Sequence, residues 1–205
     1  MVNASAGPER NGQFDIPESP GAEAARIPGE PGVWLLIFGD LCVFAVFFLH
    51  FVSARSDAPG EFAAAHTLLD RRVGLLGSLL LLTSSLFVAL GVHRLRHQKS
   101  ARRQFSIAIA FGAGFVVCKL VEYGTKIHLG ITPVTNDFFM YYFAFTGIHL
   151  VHVLLGLGIL LLMRMAAQPP ASTQRLLLIE SGGLFWHLVD LLWIVLFALF
   201  YLLGG

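Results

Sequence analysis

The sequence predicts an all-α, polytopic membrane protein with five transmembrane helices in one bundle. Three observations lead there. Of the 205 residues, 56% are hydrophobic and only 13% charged, and the mean hydropathy is +0.71, well outside the range of soluble domains. Five apolar segments, residues 33–53, 73–93, 105–127, 138–164 and 180–203, reach the roughly 20 residues that a helix needs to cross a bilayer. Helix breakers collect in the short linkers between them. In lipid every backbone amide must find its partner within the segment, so each span reads as a helix.

Residues 1–30 are polar, carry Pro, Gly and Glu, and lack the apolar centre of a signal peptide. They read as a disordered cytoplasmic tail, leaving residues 31–205 as the membrane domain. The first span carries Asp40 about a third of the way in. It reads either as a carboxyl bonded to a neighbouring helix or neutralised by burial, or as a group that exchanges protons. Ser56-Asp57-Ala58-Pro59-Gly60 then breaks the chain before the second span, which holds Ser84-Ser85.

The third span places Lys119, Glu122, Tyr123 and Lys126 at spacings that share one helical face. Glu122 can pair with either lysine, as charges in lipid usually do. The fourth span carries His149 and His152, three apart on one side, with Glu122 as their expected partner from the neighbouring antiparallel helix. The fifth opens near Glu180 and continues through Trp186, His187, Asp190 and Trp193; His187 shares the Glu180 face and stands three residues from Asp190, close enough in sequence to bond it. Trp34 and the Tyr141-Tyr142 pair fall near span ends, where interfacial aromatics belong. Glycines at 74, 77, 112, 114, 147, 156 and 158 allow helices to approach closely.

Charge distribution sets the orientation. Arg10, Arg26, Arg94, Arg96, Lys99, Arg102, Arg103, Arg164 and Arg175 fall on one side and Arg55, Arg71, Arg72 and Lys126 on the other. Positive charge favours the cytoplasm, so the N-terminus is predicted inside and the C-terminus outside. The formal net charge of +1 and the confinement of basic residues to short loops give no support to nucleic-acid binding. Cys42 and Cys118 fall in apolar segments without CxxC spacing and read as buried, unpaired thiols. Imidazole suits several metals, but His149 and His152 have no second ligand motif; a di-iron bundle site needs Glu-x-x-His twice, and there is none.

Read together, Gly39-Asp40, Ser84-Ser85, Glu122-Tyr123, Gly147-x-His149-x-x-His152, and Glu180 with Trp186-His187-x-x-Asp190-x-x-Trp193 resemble the five-helix form of subunit III of the haem-copper cytochrome oxidases. The resemblance runs from about Pro31 to Gly204. The opening Pro28-Gly29-Glu30-Pro31-Gly32-Val33-Trp34 is similar to a narrower branch, the subunit-III-like protein associated with bacterial nitric oxide reductases.

The resemblance implies a non-catalytic subunit in a bacterial plasma membrane. It implies haem and copper in the catalytic subunit I rather than in this chain, bound phospholipid, and support of aerobic electron transport and proton uptake. It also matches Asp40 to the family's intramembrane carboxyl, one methylene shorter than the Glu of many relatives. By the same resemblance Glu122, His149, His152, Glu180, His187 and Asp190 take up its structural polar positions. The two extra N-terminal helices of the seven-helix form are missing, which puts the family's lipid-holding cleft in doubt.

Two readings of other classes compete. A stand-alone b-type haem protein using His149 or His152 needs a second axial ligand at matching depth, and His187 lies nearer the opposite side. A small transporter using Asp40 and Glu122 is opposed by the missing internal repeat and the absence of paired, Pro/Gly-broken helices.

Overall fold

A computed structural model of the chain describes residues 29–203. The expected tail, residues 1–30, lies almost wholly outside the described residues. The elements are α1 (Pro31–Asp57), α2 (Pro59–His66), α3 (Arg71–Arg96), α4 (Arg102–His128), α5 (Asp137–Ala166) and α6 (Thr173–Phe197), the last continuing into a π-helical turn, Ala198–Leu202. All but α2 and the terminal turn are long and apolar enough to cross a membrane, α6 together with its π turn. A helix of 27 residues such as α1 is about 40 Å long at 1.5 Å per residue, enough for hydrocarbon and headgroup layers together.

Polar side chains cap three of the spans, α3, α5 and α6, at their N-termini. Asp70 accepts from the Arg72 amide at 2.8 Å, Asn136 from Phe139 at 2.9 Å and Ser172 from Arg175 at 3.3 Å. Each satisfies an amide with no partner inside its own helix. The segment expected to break the chain at Ser56–Gly60 is instead a one-residue joint between helices. Pro59 opens α2 at its first turn, where a missing N–H costs nothing.

Helices α3, α4, α5 and α6 pack pairwise into a closed ring, α3 against α4 and α6, and α5 against α4 and α6. Helix α1 lies outside, against α5 and α6, with α2 folded back on α5. The difference shows in burial: α1 buries only Phe44 and Phe51, whereas α6 buries eleven residues from Ile179 to Leu196. Two aromatic seams hold the parts together. Phe51 stands edge-on to Phe62, Tyr141 and Phe200, joining α1, α2, α5 and the π turn. In the ring, Trp186 fills the space left by Gly112 and Gly156, where an added Cβ would stand 2.9 Å and 2.6 Å from the indole. Gly77 admits Phe115 in the same way, but Gly147 and Gly158 meet nothing within 4 Å and so mark no close approach.

Three other expectations are corrected here. Tyr142 is fully buried rather than interfacial. Cys42 is exposed on α1 and Cys118 half-buried, so neither is a core thiol. Lys126, counted with the loop charges, is buried in α4, its Nζ donating to the Leu68 carbonyl at 3.1 Å.

Candidate functional site

The polar residues separate into three groups on different helix pairs. The first joins α1 to α5. His152 Nε2 lies 3.2 Å from Asp40 Oδ1, with side chains 21% and 17% exposed, and Phe44 stands edge-on to the imidazole. The other ring nitrogen, Nδ1, is 2.9 Å from the Ile148 carbonyl. Both nitrogens therefore face oxygen acceptors. A neutral imidazole has one N–H, so it donates to one of these oxygens at a time. Asp40 Oδ2 is buried with no partner. The pair stands toward the outside of the bundle, because α1 covers α5 along one side only.

The second group fills the end of the ring nearest the π turn. Lys119, 3% exposed, donates to Glu122 Oε2 at 2.8 Å, Tyr201 Oη at 3.0 Å and Tyr142 Oη at 3.2 Å. Tyr201 in turn donates to Glu122 Oε1 at 2.7 Å. The ammonium sits 4.8 Å from the Trp193 ring and 5.1 Å from that of Tyr142, close enough for cation–π attraction. All three ammonium hydrogens and both carboxylate oxygens are used. The expected pairing of Glu122 with Lys119 is present. Its expected partnership with His149 and His152 is not: Glu122 is committed to Lys119 and Tyr201, while His152 turns to α1.

His149 and His152 thus diverge although they are three residues apart. His149 points into the ring, fully buried, stacked on Trp193 with centroids 5.4 Å apart and edge-on to Phe115; neither ring nitrogen has a partner. Among the described residues no three His, Cys, Asp or Glu side chains converge as metal ligands would. The rings flanking His149 are those of Phe115 and Trp193.

The third group lies between α3 and α6 at the opposite end. Glu180 accepts from Arg96 Nε at 2.9 Å and from the Gly29 amide at 3.4 Å, and Ser181 Oγ accepts from the Glu30 amide at 3.0 Å. Two turns further along α6, His187 Nδ1 is 2.6 Å from Ser85 Oγ. The expected His187–Asp190 bond is absent: the His187 Nδ1 is taken by Ser85 on α3, and Asp190 keeps a buried, unpartnered Oδ1. Ser84 and Trp193 make further interhelical bonds, to the Ala108 carbonyl at 2.7 Å and to Ser78 Oγ at 3.0 Å.

Sequence reading missed Tyr142, Tyr201, Trp193 and Arg96 as partners of the charged groups. Their distance in the chain, 82 residues from Lys119 to Tyr201, leaves no local signal.

Residues 27–205 match the family model described as cytochrome c oxidase subunit III. The chain is 28% identical over 176 residues to the cytochrome c oxidase subunit 3 of Bacillus sp. (strain PS3), covering 84% of each chain. It is 27% identical to the quinol oxidase subunit 3 of Bacillus subtilis (strain 168), over 84% of this chain and 86% of that one. It is 30% identical to the cytochrome bo(3) ubiquinol oxidase subunit 3 of Pseudomonas putida, again over 84% of each.

Proposed function

The chain belongs to the cytochrome c oxidase subunit III family, and from that membership we propose that it serves as the third, non-catalytic subunit of a haem-copper respiratory oxidase. The observation that carries this is the span of the match. It takes in all five transmembrane helices and every polar group described above, so the likeness is to the whole membrane domain and not to a hydrophobic pattern. Haem and copper belong, on this reading, to the catalytic subunit I, against which the chain packs in a bacterial plasma membrane with its N-terminus in the cytoplasm and its C-terminus in the periplasm.

The chain's contribution is structural and proton-handling. Peripheral α1, with an apolar outer face that includes Leu35, Phe38 and Leu49, offers surface to a partner or to lipid. The Asp40–His152 pair stands beside that surface. Apolar area alone does not drive helix association in lipid, so such polar groups direct where a partner seats.

The test is a mild-detergent pulldown of the tagged chain from its native membrane, with the eluate identified and its absorbance spectrum recorded. Recovery of an oxidase catalytic subunit with haem and copper is the expected result. Recovery of a nitric oxide reductase large subunit would move the chain to the narrower branch. A colourless single band would remove the assembly reading altogether.

A further inference from the structure

The outer face of α3 and α4 carries a groove that the assembly role does not use. Its volume is about 520 Å³. Val73, Leu76 and Leu80 of α3 and Gly114, Val117 and Val121 of α4 wall it, and Asp70, Glu122 and Lys126 border one end. The apolar walls are open to the outside: Leu76 is 51%, Val117 60% and Val121 63% exposed. Gly114 keeps the groove deep, because a Cβ there would meet only the Leu80 side chain, at 3.7 Å. From Asp70, which caps α3, to Leu80 is ten residues, about 15 Å at 1.5 Å per residue. That is half of the roughly 30 Å hydrocarbon core, the depth of one leaflet.

The polar end holds a cation without a counter-charge. Lys126 is 5% exposed, and its Nζ donates to the carbonyl of Leu68, another residue of the groove wall, at 3.1 Å. An ammonium has three hydrogens. The Phe139 and Tyr142 rings stand 6.0 Å and 5.9 Å away, at the limit of cation–π reach. Among the described residues no carboxylate lies within ion-pair distance of Lys126. Glu122 is already taken by Lys119 and Tyr201, at 2.8 Å and 2.7 Å. Two lysines thus share one buried carboxylate, whereas charges at this depth ordinarily occur in pairs. Asp70 is exposed at the mouth and spends only Oδ1, on the Arg72 amide.

We propose that this groove seats one phosphatidylethanolamine of the leaflet on the Asp70 side. An acyl chain lies along the α3 and α4 walls down to Leu80 and Gly114. The phosphate accepts from the Lys126 ammonium, and the terminal ammonium of the headgroup meets the Asp70 carboxylate. Charge complementarity selects this headgroup. Phosphatidylglycerol supplies the phosphate for Lys126 but brings no cation to Asp70, which then faces a like charge. The site lies on the α3–α4 face, away from α1 and the Asp40–His152 pair. It rests on this chain's own residues and not on the assembly reading, so the two fail independently.

The test is photolabelling of the full chain, purified in mild detergent with whatever it carries. The probes are phosphatidylethanolamine and phosphatidylglycerol with the same diazirine midway along one acyl chain, and the adducts are located by peptide mass spectrometry. Phosphatidylethanolamine adducts are expected on the segments 73–80 and 114–121, about tenfold above phosphatidylglycerol. Lys126→Met should lower them about tenfold, the scale of one charge-assisted hydrogen bond. It leaves no other charge stranded, so the fold should hold. Asp70→Asn, which still caps α3, should erase the preference between the two lipids. Gly114→Leu leaves the polar end untouched and fills the groove, so it should abolish the adducts on both segments at unchanged thermal stability. Labelling of Gly114→Leu equal to wild type overturns the site. So do adducts confined to other helices, or segments left unlabelled because a partner's helix covers them. Equal labelling of the wild type by the two lipids overturns the headgroup assignment.

Discussion

Lys119 shows what a charge must find before it can sit inside hydrocarbon. Its three hydrogens meet a carboxylate and two phenols, and an indole face lies below. Removing one member of such a buried pair strands the other, at a cost of about 3–5 kcal/mol. Lys119→Met should therefore sharply lower resistance to denaturing detergent, and Lys119→Met/Glu122→Gln should recover much of the loss, because no charge is then left alone. Unfolding of Lys119→Met at the wild-type detergent fraction would show that the network holds nothing. Asp40 makes the opposite case. Its Oδ1 meets His152 Nε2 at 3.2 Å, and an Asn amide could still donate to that nitrogen. Asp40→Asn should keep the complex intact on a native gel while shortening its working life during turnover. A complex that turns over for as long as wild type would deny Asp40 any proton-handling part.

At the scale of elements, the sequence was most legible where the constraint was strongest. Length and apolarity alone located all five spans, since lipid permits so little else. Helix α2 was illegible because Pro59 reads as a breaker until it is known to occupy a first turn. The π turn at Ala198–Leu202, which carries Tyr201, has no marker in the sequence. The partners of the histidines were illegible for a different reason. Helical spacing says which residues share a face, but the rotation of each helix in the bundle decides what that face meets. So Glu122 was a reasonable partner for His152 on depth, and α1 took the place. Glycines divide in the same way. Gly156→Val should force α5 away from Trp186, whose ring a Cβ would approach to 2.6 Å, and cost about 1–3 kcal/mol as overpacking does. Gly147→Ala meets nothing within 4 Å and should be neutral in the same detergent titration. Equal losses in the two variants would mean that glycine content, rather than the Trp186 contact, sets the stability.

Across the whole molecule, the distribution of basic residues sets which end faces the cytoplasm. The described structure brings Arg94, Arg96, Lys99, Arg102 and Arg103, between α3 and α4, to the same end as Arg164 and Arg175, at the end of α5 and the start of α6. The backbone bond from the Ala101 amide to the Ala167 carbonyl, 3.2 Å, fastens these two linkers together. The other end keeps Arg55, Arg71 and Arg72; Lys126 drops out of the comparison because it is buried. Among the described residues this leaves seven basic side chains at the first end against three at the other. Five spans put the termini on opposite sides, so a periplasm-dependent reporter fused after Leu203 should be active and a cytoplasm-dependent one silent. Arg94, Lys99, Arg102 and Arg103 changed together to Gln should then give a mixed population, since short-loop charge sets topology. Arg96 is left in place so that its bond to Glu180 does not confuse lost packing with lost charge. A C-terminal reporter active only in the cytoplasm would reverse the orientation.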